Sequence, residues 1–545
     1  MTFQMYEGQK ALQQFNDPDF CQLWQTLIGQ CPWSTLYQGE KYACIWFDVY
    51  ADVFTPILMI EKNSVGALDH LIILGKNKNT NQIFHCGAHQ AEYQCWLSAD
   101  LNFSTFIKQV LTEIGKIDLN NNFTMKFLPA ELTQHIRNNS KILANNFILH
   151  DEKKPVIQFD QDPAPWQSMT KKGNKSKLSR LKKLGDLKIE LLSFNASEKK
   201  EAAIELLQQI SLFYDLRQGA INNNLPFIED TVKFKFYLRL LTELDEFKVL
   251  AVHINDKVIA CVIGDITDKE LSVGVFSYDF FLSKHSPGKI LLLLGSKLLA
   301  EAGLKTIDLT PGGDWKWRYA NHFETVSTIT FYHKPKQYCS VLAKEKILNF
   351  AKSFLQIFNL KPDDIRNMVT NLKSKKLESQ RPELRIYSFP ASQAEKLPET
   401  KGIKVNTISD FLKFEVSDEG PQRQSFLSDA LRRFENGQHG YSNADNHHLL
   451  QSGWLAANQK KTYFTEVEQE YFYNEKSCAL MGLYSHKSEA NQDSYQRIIT
   501  QMAKDASGYD DIQTIYISAL SDNIPLQNAI EKIGFEYIET LHYKG

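Results

Sequence analysis

The chain has 545 residues, more than one hydrophobic core accommodates. At roughly 100–200 residues per domain, about three domains are expected. Hydrophobic residues make up 43% and charged residues 23%, ordinary values for a soluble globular protein. With 62 basic residues against 64 acidic ones, the net charge is −2. Bulk charge therefore excludes an obvious nucleic-acid binder and leaves only local patches to consider.

The eight cysteines form no Cys-x-x-Cys pair and no zinc-like spacing with histidine, so reduced thiols and no metal are expected. The opening "MTFQMYEGQKALQQFND" lacks a basic stretch followed by an apolar one, the pattern of a signal peptide. The longest aliphatic run covers residues 290–294, far short of a membrane span. A cytoplasmic location without a membrane span follows as an expectation.

In chain order, "KYACIWFDVY", "FTPILMIEK" and "LDHLIILGKN" read as strands, rich in aromatic and β-branched residues. "DLNFSTFIKQVLTEIG" reads as an amphipathic helix with Ser104 at its cap, and "FTMKFLPA" as a strand. Next, "MTKKGNKSKLSRLKKLGDLK" carries seven lysines and an arginine against one acid. It is either a solvated helix face or a cationic arm for phosphates.

"EKKEAAIELLQQISLFYDLRQG" is expected to be a helix ending at Gly219, followed by a second helix in "EDTVKFKFYLRLLTELDE". "FKVLAVHIND", "KVIACVIGDITD" and "KELSVGVFSYD" read as three antiparallel strands with short polar turns. "SKHSPGKILLLLGSKLLAEAG" is a helix, "KTIDLTPGGD" a strand with a turn, and "ETVSTITFYHKP" another strand. Residues 341–382 read as a helical linker. Residues 383–545 mix helices and strands in an order like that of residues 190–340, a hint of repeated architecture.

The helix beginning at Ser286 is the chemical focus. Ser286 suits an N-cap and Pro287 the first helical turn. Gly288 removes a side chain there, so a ligand has room to approach the backbone. Free N–H groups, the positive helix end and Lys289 favour an anion. Gly303 fits the position after the helix end.

Four features connect around this helix: Arg217 and Gly219 on the preceding helix, "LAVHINDKVIAC", a strand ending Tyr278-Asp279, and Ser-Pro-Gly at 286–288. Asp308, Gly312, Gly313 and Lys316 follow. Together they resemble the acyltransferase domain of the GNAT superfamily, in the subgroup of CelD-like and Fem-type tandem proteins. The resemblance implies an α+β fold with mixed sheets, the GNAT fold repeated. The expected division is an N-terminal GNAT-like lobe over 1–165, an acyltransferase lobe over 166–340, a linker over 341–382 and a third GNAT-like domain over 383–545.

It also implies acyl transfer from acyl-CoA, acetyl-CoA being the simplest donor, to an amine or hydroxyl of an envelope or glycan precursor. The thioester would lie between splayed strands, with its pyrophosphate on Ser286, Pro287, Gly288 and Lys289. A backbone N–H would stabilise the oxyanion, and an acid would protonate the thiolate. Asp279, Asp308 and Tyr214 are the candidate catalytic residues, and Arg217 and Lys316 the candidate substrate-binding ones. Tyr214 stands where the subgroup often has histidine. For the tryptophans flanking Lys316, packing is the expected role. The alternatives are a Fem-type aminoacyl transferase using charged tRNA, for which the arm at 171–188 is suited, and a non-catalytic scaffold.

The closing "IQTIYISALSDNIPLQNAIEKIGFEYIETLHYKG" resembles the end of a compact GNAT domain. The stretch corresponding to its pyrophosphate loop, "KSEANQDSYQRIITQMAKDA", has no glycine, and Ile530 stands near the place of a tyrosine proton donor. A specificity or assembly module that binds no CoA is therefore expected. His447 and His448 read as solvent-exposed loop residues.

Overall fold

The computed structural model describes residues 2–118, 121–138, 146–344, 382–416, 422–509 and 511–543. The helical linker expected over 341–382 lies, beyond Lys344, outside the described residues. The chain forms two compact units. The first gathers Met1–Ile210, Asp230–Tyr278 and the segment from His285, and the second gathers Ser211–Glu229, Asp279–Lys284 and the C-terminal region.

Among its described residues, the first unit holds a five-stranded and an eight-stranded sheet. The smaller sheet is antiparallel throughout and consists of β1 (Thr2–Glu7), β2 (Phe54–Lys62), β3 (Leu68–Asn77), β4 (Ile83–His85) and β5 (Leu97–Ser98). "KYACIWFDVY" is not a strand but the helix Glu40–Val49. Tyr42, Ala43, Ile45, Trp46, Phe47 and Val49 are all buried. Glu40, Lys41, Cys44 and Asp48 fall together on its less buried face, so the helical period was present and the aromatic and β-branched composition masked it. The helix Ser104–Ile117 begins one residue early, with Phe103 rather than Ser104 at its cap.

The larger sheet uses β6 (Phe123–Leu128), β7 (Phe147–Gln158), β8 (Leu187–Leu192), β9 (Phe247–Ile254), β10 (Lys257–Thr267), β11 (Glu270–Tyr278), β12 (Thr306–Asp308) and β13 (His322–Phe331). Their order is β6-β13-β7-β12-β11-β10-β9-β8. β9 to β11 form the expected antiparallel meander, β8 pairs antiparallel with β9, and β12 runs parallel to β11. β6 and β7 precede residue 165 yet pair with β12 and β13, so this sheet spans the expected boundary there.

The parallel pair joins Glu270, Leu271 and Ser272 to Thr306, Ile307 and Asp308, and extends no further. On its other side β11 carries a bulge. Ile263 pairs with Val275 and Gly264 with Val273, leaving Gly274 without a partner on β10. A Cβ on Gly264 would lie 1.8 Å from the Ser272 carbonyl oxygen, so glycine is required where the strands crowd at the bulge.

The helix Pro287–Glu301 packs on this sheet. Its Gly295 faces Leu250 so closely that a Cβ would come within 2.6 Å. It closes in the expected way at Gly303, at φ 89°. The Gly303 N–H donates to Ala300 and the Leu304 N–H to Leu299, the paired bonds of a Schellman end. The helix starting at Lys200 does not stop at Gly219 but runs to Asn222. A Cβ on Gly219 would come within 2.5 Å of Leu427 and 2.7 Å of Leu225, so this glycine serves close packing rather than termination.

The second unit repeats the topology. Its strands are β14 (Glu383–Pro390), β15 (Lys404–Val405), β16 (His439–Ala444), β17 (Leu449–Ala457), β18 (Lys461–Phe464), β19 (Gln469–Phe472), β20 (Ser477–Ser485), β21 (Thr514–Leu520) and β22 (Glu536–His542). Seven of them order as β15-β16-β17-β20-β21-β14-β22, with β20 and β21 parallel. In both sheets an antiparallel run meets one parallel strand, and the next strand comes from earlier in the chain: β7 beside β12, β14 beside β21. The expected repeat is thus a repeat of topology. Its core packs the helices Gln492–Ser507 and Ile524–Ile533 on the sheet through Ile499, Met502, Ala503, Ala529 and Ile530.

Candidate active site

Beyond the Ser272–Asp308 pair, β11 and β12 part. β12 ends and the chain turns through Thr310 at φ 59° and Gly312 and Gly313 at 79° and 77°. β11 continues to Tyr278. Successive strand residues alternate faces, and the bulge at Gly274 resets that alternation. Phe276 and Tyr278 consequently lie under Gly288 of the helix, while Ser272 opens with Asp265 into a cavity of about 220 Å³.

That cavity is roofed by Trp33, Thr35 and Tyr37, from the segment that precedes the helix Glu40–Val49. Thr35 is fixed there by Gln38, whose Oε1 accepts from the Thr35 N–H and hydroxyl at 2.9 and 2.8 Å. The Tyr37 hydroxyl donates to Asp265 at 3.1 Å. The Tyr93 hydroxyl donates to Asp308. Lys154 Nζ, from β7, lies 3.1 Å from Glu324, 3.2 Å from Glu270 and 3.6 Å from Asp308.

Burial sets the protonation of these groups. Asp265 is pushed up to about 7, mainly by desolvation and further by Asp308, while the Tyr37 bond opposes the rise. Asp308, wholly buried, is raised by desolvation against the pull of Lys154 and Tyr93. Glu270 is raised by burial and by Asp308. Burial alone would lower Lys154, but Asp308, Glu270 and Glu324 outweigh it and hold the ammonium above the usual lysine value. Lys316 is lowered to about 8 by burial, against the pull of Glu92 and Asp308. Its Nζ donates to the Thr310 hydroxyl at 2.9 Å and to the Thr310 and Pro311 carbonyls at 3.0 and 3.2 Å. It thereby ties down the turn where the strands part.

At the helix start, Ser286 sits at φ 53° and makes no side-chain capping bond. Its carbonyl accepts from the Lys289 and Ile290 N–H groups, while its hydroxyl accepts from Lys177 Nζ at 2.8 Å. The expected serine cap is therefore replaced by a serine–lysine contact. Lys177 belongs to the basic helix Lys172–Lys182, on which Leu181 is the buried residue. Lys289 is lowered by burial and by Lys177 and Lys171, so three cations gather here. Gly288 leaves no open room, because a Cβ there would meet Phe276 at 2.7 Å. Its bare face serves packing against β11. Trp315 stacks on the same Phe276 at 4.9 Å, as packing predicts, whereas Trp317 is 54% exposed.

Of the residues singled out from the sequence, Asp308 and Lys316 come together at the end of β12, and Ser286 to Lys289 form the cationic helix start. Tyr214, Arg217 and Asp279 fall in the other compact unit. There Asp279 accepts from the Phe281 N–H at 3.0 Å, as a turn-capping aspartate does, and Tyr214 packs edge-on against Phe227. Asp265, Lys154, Glu270, Tyr37 and Tyr93 had no place in the sequence reading. Asp265 carried a usable signal, a lone acid inside the apolar strand "VIACVIGDIT".

Residues 169–320 match the family model described as an acetyltransferase (GNAT) domain. The chain thus carries a GNAT-superfamily acyltransferase domain over these residues, within a multidomain α+β architecture. Comparison with curated protein sequences returns no match. Among solved structures, a conserved protein of unknown function from Bacteroides thetaiotaomicron overlaps at 12% identity and TM-score 0.38, covering 57% of this chain and 97% of its own. L-PGS from Bacillus licheniformis overlaps at 10% identity and TM-score 0.37, covering 61% and 97%. FemX overlaps at 10% identity and TM-score 0.36, covering 57% and 96%. Overlaps this distant define neither acceptor nor donor.

Proposed function

We propose that the first unit transfers an acyl group from acyl-CoA, acetyl-CoA being the simplest donor, to an amine or hydroxyl of an envelope or glycan precursor. The observation that carries this reading is the parting of β11 and β12 at the row Asp265–Ser272–Asp308. Along the parted half of β11, an extended thioester arm can add its amides as a strand would. Its diphosphate would lie at the helix start, where backbone N–H groups meet Lys177 and Lys289. The N–H of the bulged Gly274 is the candidate oxyanion donor.

With an amine acceptor, the neutral nitrogen attacks the thioester carbonyl and its N–H proton passes to Asp265 as the C–N bond forms. The C–S bond breaks, its electron pair leaves on sulfur, and the thiolate takes a proton from Lys316. Amide and thiol result, and Asp265 and Lys316 regain their starting states from solvent. A base near 7 and an acid near 8 suit transfer to a thiolate, whose own pKa is about 8.5.

A second reading, an aminoacyl-tRNA donor, is favoured by one observation. The basic helix Lys172–Lys182 is mostly exposed and meets the same helix start. A thermal-shift panel of acetyl-CoA, longer acyl-CoAs and charged tRNA separates the two. Stabilisation by CoA esters, reduced in Lys289→Ala, supports the first. Tight, salt-sensitive tRNA binding without a CoA response supports the second. No response to either donor leaves a non-catalytic scaffold.

A further inference from the structure

We infer that the helix Lys172–Lys182 is the docking surface of a small acidic carrier protein, which presents the acyl group as a thioester on a phosphopantetheine arm. This rests on the acyl-transfer reading above and names the source of its donor.

The first observation is an unpaired cationic face. Residues 171–183 hold six lysines and Arg180 and no acid. All seven except the half-buried Lys177 are exposed, and none has a carboxylate partner among the described residues. The nearest acid in sequence, Asp186, pairs with Lys188 beyond the helix. Elsewhere in the first unit Lys76, Lys126, Lys154 and Arg239 each meet a carboxylate. In a chain of net charge −2, cations gathered on and beside a helix about 16 Å long form a segregated patch. Lys172, Lys175 and Lys182 fall with Ser179 along one of its faces, at spacings of three and four.

The second observation is that this face leads to the donor seat. Lys177 Nζ reaches the Ser286 hydroxyl at 2.8 Å, and Lys171 and Lys177 both act on Lys289. Like charges held together repel, and an anion bound among them relieves the repulsion. In the first turn of the helix Pro287–Glu301, Pro287 has no N–H, and the N–H groups of Lys289 and Ile290 already donate to the Ser286 carbonyl. Gly288 is left as the backbone donor of that turn among the described residues. One donor and three cations suit a single phosphodiester, the group that ends an arm anchored to a protein serine. CoA ends the same arm in a diphosphate. Lys172, Lys175, Arg180, Lys182 and Lys183 are left over for the body that carries the arm.

The composition of the face selects a protein as that body. Nucleic acid is gripped best by the arginine fork and by stacked aromatic rings, and residues 171–188 offer a single arginine and no aromatic. A helix that lies in a membrane surface turns its leucines outward, whereas here Leu181 is buried and Leu178 half-buried. Leu184, 50% exposed just past the helix, adds one apolar spot among the lysines, which a folded acidic surface can cover. Lysine against carboxylate at an exposed rim steers encounter and fixes orientation, as delivery of a tethered arm requires.

Isothermal titration of the full chain with a type II acyl carrier protein, in its apo and holo forms, tests this, with tRNA and phosphatidylglycerol vesicles titrated in parallel. The apo carrier is expected to bind, and to bind roughly tenfold more weakly at high than at low salt. The triple variant Lys172→Glu, Lys175→Glu, Lys182→Glu should weaken it by roughly 30-fold or more, and glutamine at the same three positions by roughly tenfold. Lys10→Glu, Lys41→Glu, Lys108→Glu changes the net charge equally at exposed positions and should leave binding unchanged. The holo carrier should bind tighter than the apo form through its seated arm, an increment lost in Lys289→Ala. Apo binding that is absent, or equal in the two glutamate triple variants, overturns the docking surface. Stabilisation of the chain by acetyl-CoA in that case leaves the acyl-transfer reading standing. Binding of tRNA or of vesicles that is tighter than the carrier's, and is lost in the Lys172, Lys175 and Lys182 variant, also overturns it and gives the face to that anion. Apo and holo carriers that bind equally keep the docking surface and overturn the donor seat.

Discussion

At the scale of single residues, Asp265 and Lys316 are the groups with protonation tuned for work near neutral pH. A base must be ionised to accept a proton, so activity should rise with pH through about 7 as Asp265 ionises and fall through about 8 as Lys316 deprotonates. Asp265→Asn should lower kcat by roughly 100-fold and remove the acid limb, and Lys316→Gln should remove the basic limb. A full pH–rate profile of each variant checks this, and an unchanged acid limb in Asp265→Asn would exclude Asp265 as the base. The same burial has an opposite effect on stability. A carboxyl raised from its ordinary 3.8 to about 7 is neutral in the folded state where the unfolded chain is already ionised. Its favourable contribution is present at low pH and is lost as pH rises toward 7. Asp265→Asn keeps the Tyr37 contact and removes that penalty, so it should melt at a higher temperature than the parent at pH 8 and show no gain at pH 4. Calorimetry at the two pH values decides it. Asp265 was visible in the sequence as an acid within an apolar strand, but its partner Tyr37 lies 228 positions away. Nothing local joins them.

At the scale of elements, the proposed reading divides donor binding, at the start of the helix Pro287–Glu301, from chemistry on the strands beneath it. Lys177 and Lys289 meet the helix start and are remote in function from the proton transfers at Asp265. Lys177→Ala and Lys289→Ala should each raise KM for the acyl donor by roughly fivefold to tenfold with kcat little changed. A fall in kcat at constant KM would refute their assignment to donor binding. Gly288→Ala belongs with stability rather than binding, because its Cβ meets the Phe276 ring at 2.7 Å. Overpacking of this kind costs typically about 1–3 kcal/mol, and urea unfolding should register it even without a donor. Most elements were legible from period and punctuation: the meander β9 to β11, the helix after Ser286 and its stop at Gly303. The helix Glu40–Val49 was not, because its aromatic and β-branched composition outweighed the narrow polar face of Glu40, Lys41 and Asp48. The bulge at Gly274 was invisible as well, since a strand's face alternation is reset only where a partner strand imposes it.

For the whole molecule, the two units share a topology, and the proposed reading gives a donor seat to the first alone. In the second unit the helix corresponding to Pro287–Glu301 is Gln492–Ser507, and its start is already occupied. The Asn491 side chain accepts from the Ser494 N–H at 3.0 Å, and Glu489 accepts from the Ser494 hydroxyl at 2.9 Å. A carboxylate at a helix start takes the place an anion would need. Hydrogen exchange with and without acetyl-CoA should therefore show protection at residues 286–290 and none at 491–495, and protection at the second site would overturn this division. The sequence by itself determined the α+β class, the repeat of element order, the helix start at Ser286 and the poverty of the C-terminal loop in glycine. These depend on near neighbours along the chain, where hydrophobic period and glycine or proline geometry act directly. Only the tertiary structure decided that β7 lies between β12 and β13 in the larger sheet, that Lys177 reaches Ser286 across 109 positions, and that Asp265, Ser272 and Asp308 share one row. Strand register and burial bring those groups together and shift their protonation, and neither is written in any short stretch of sequence.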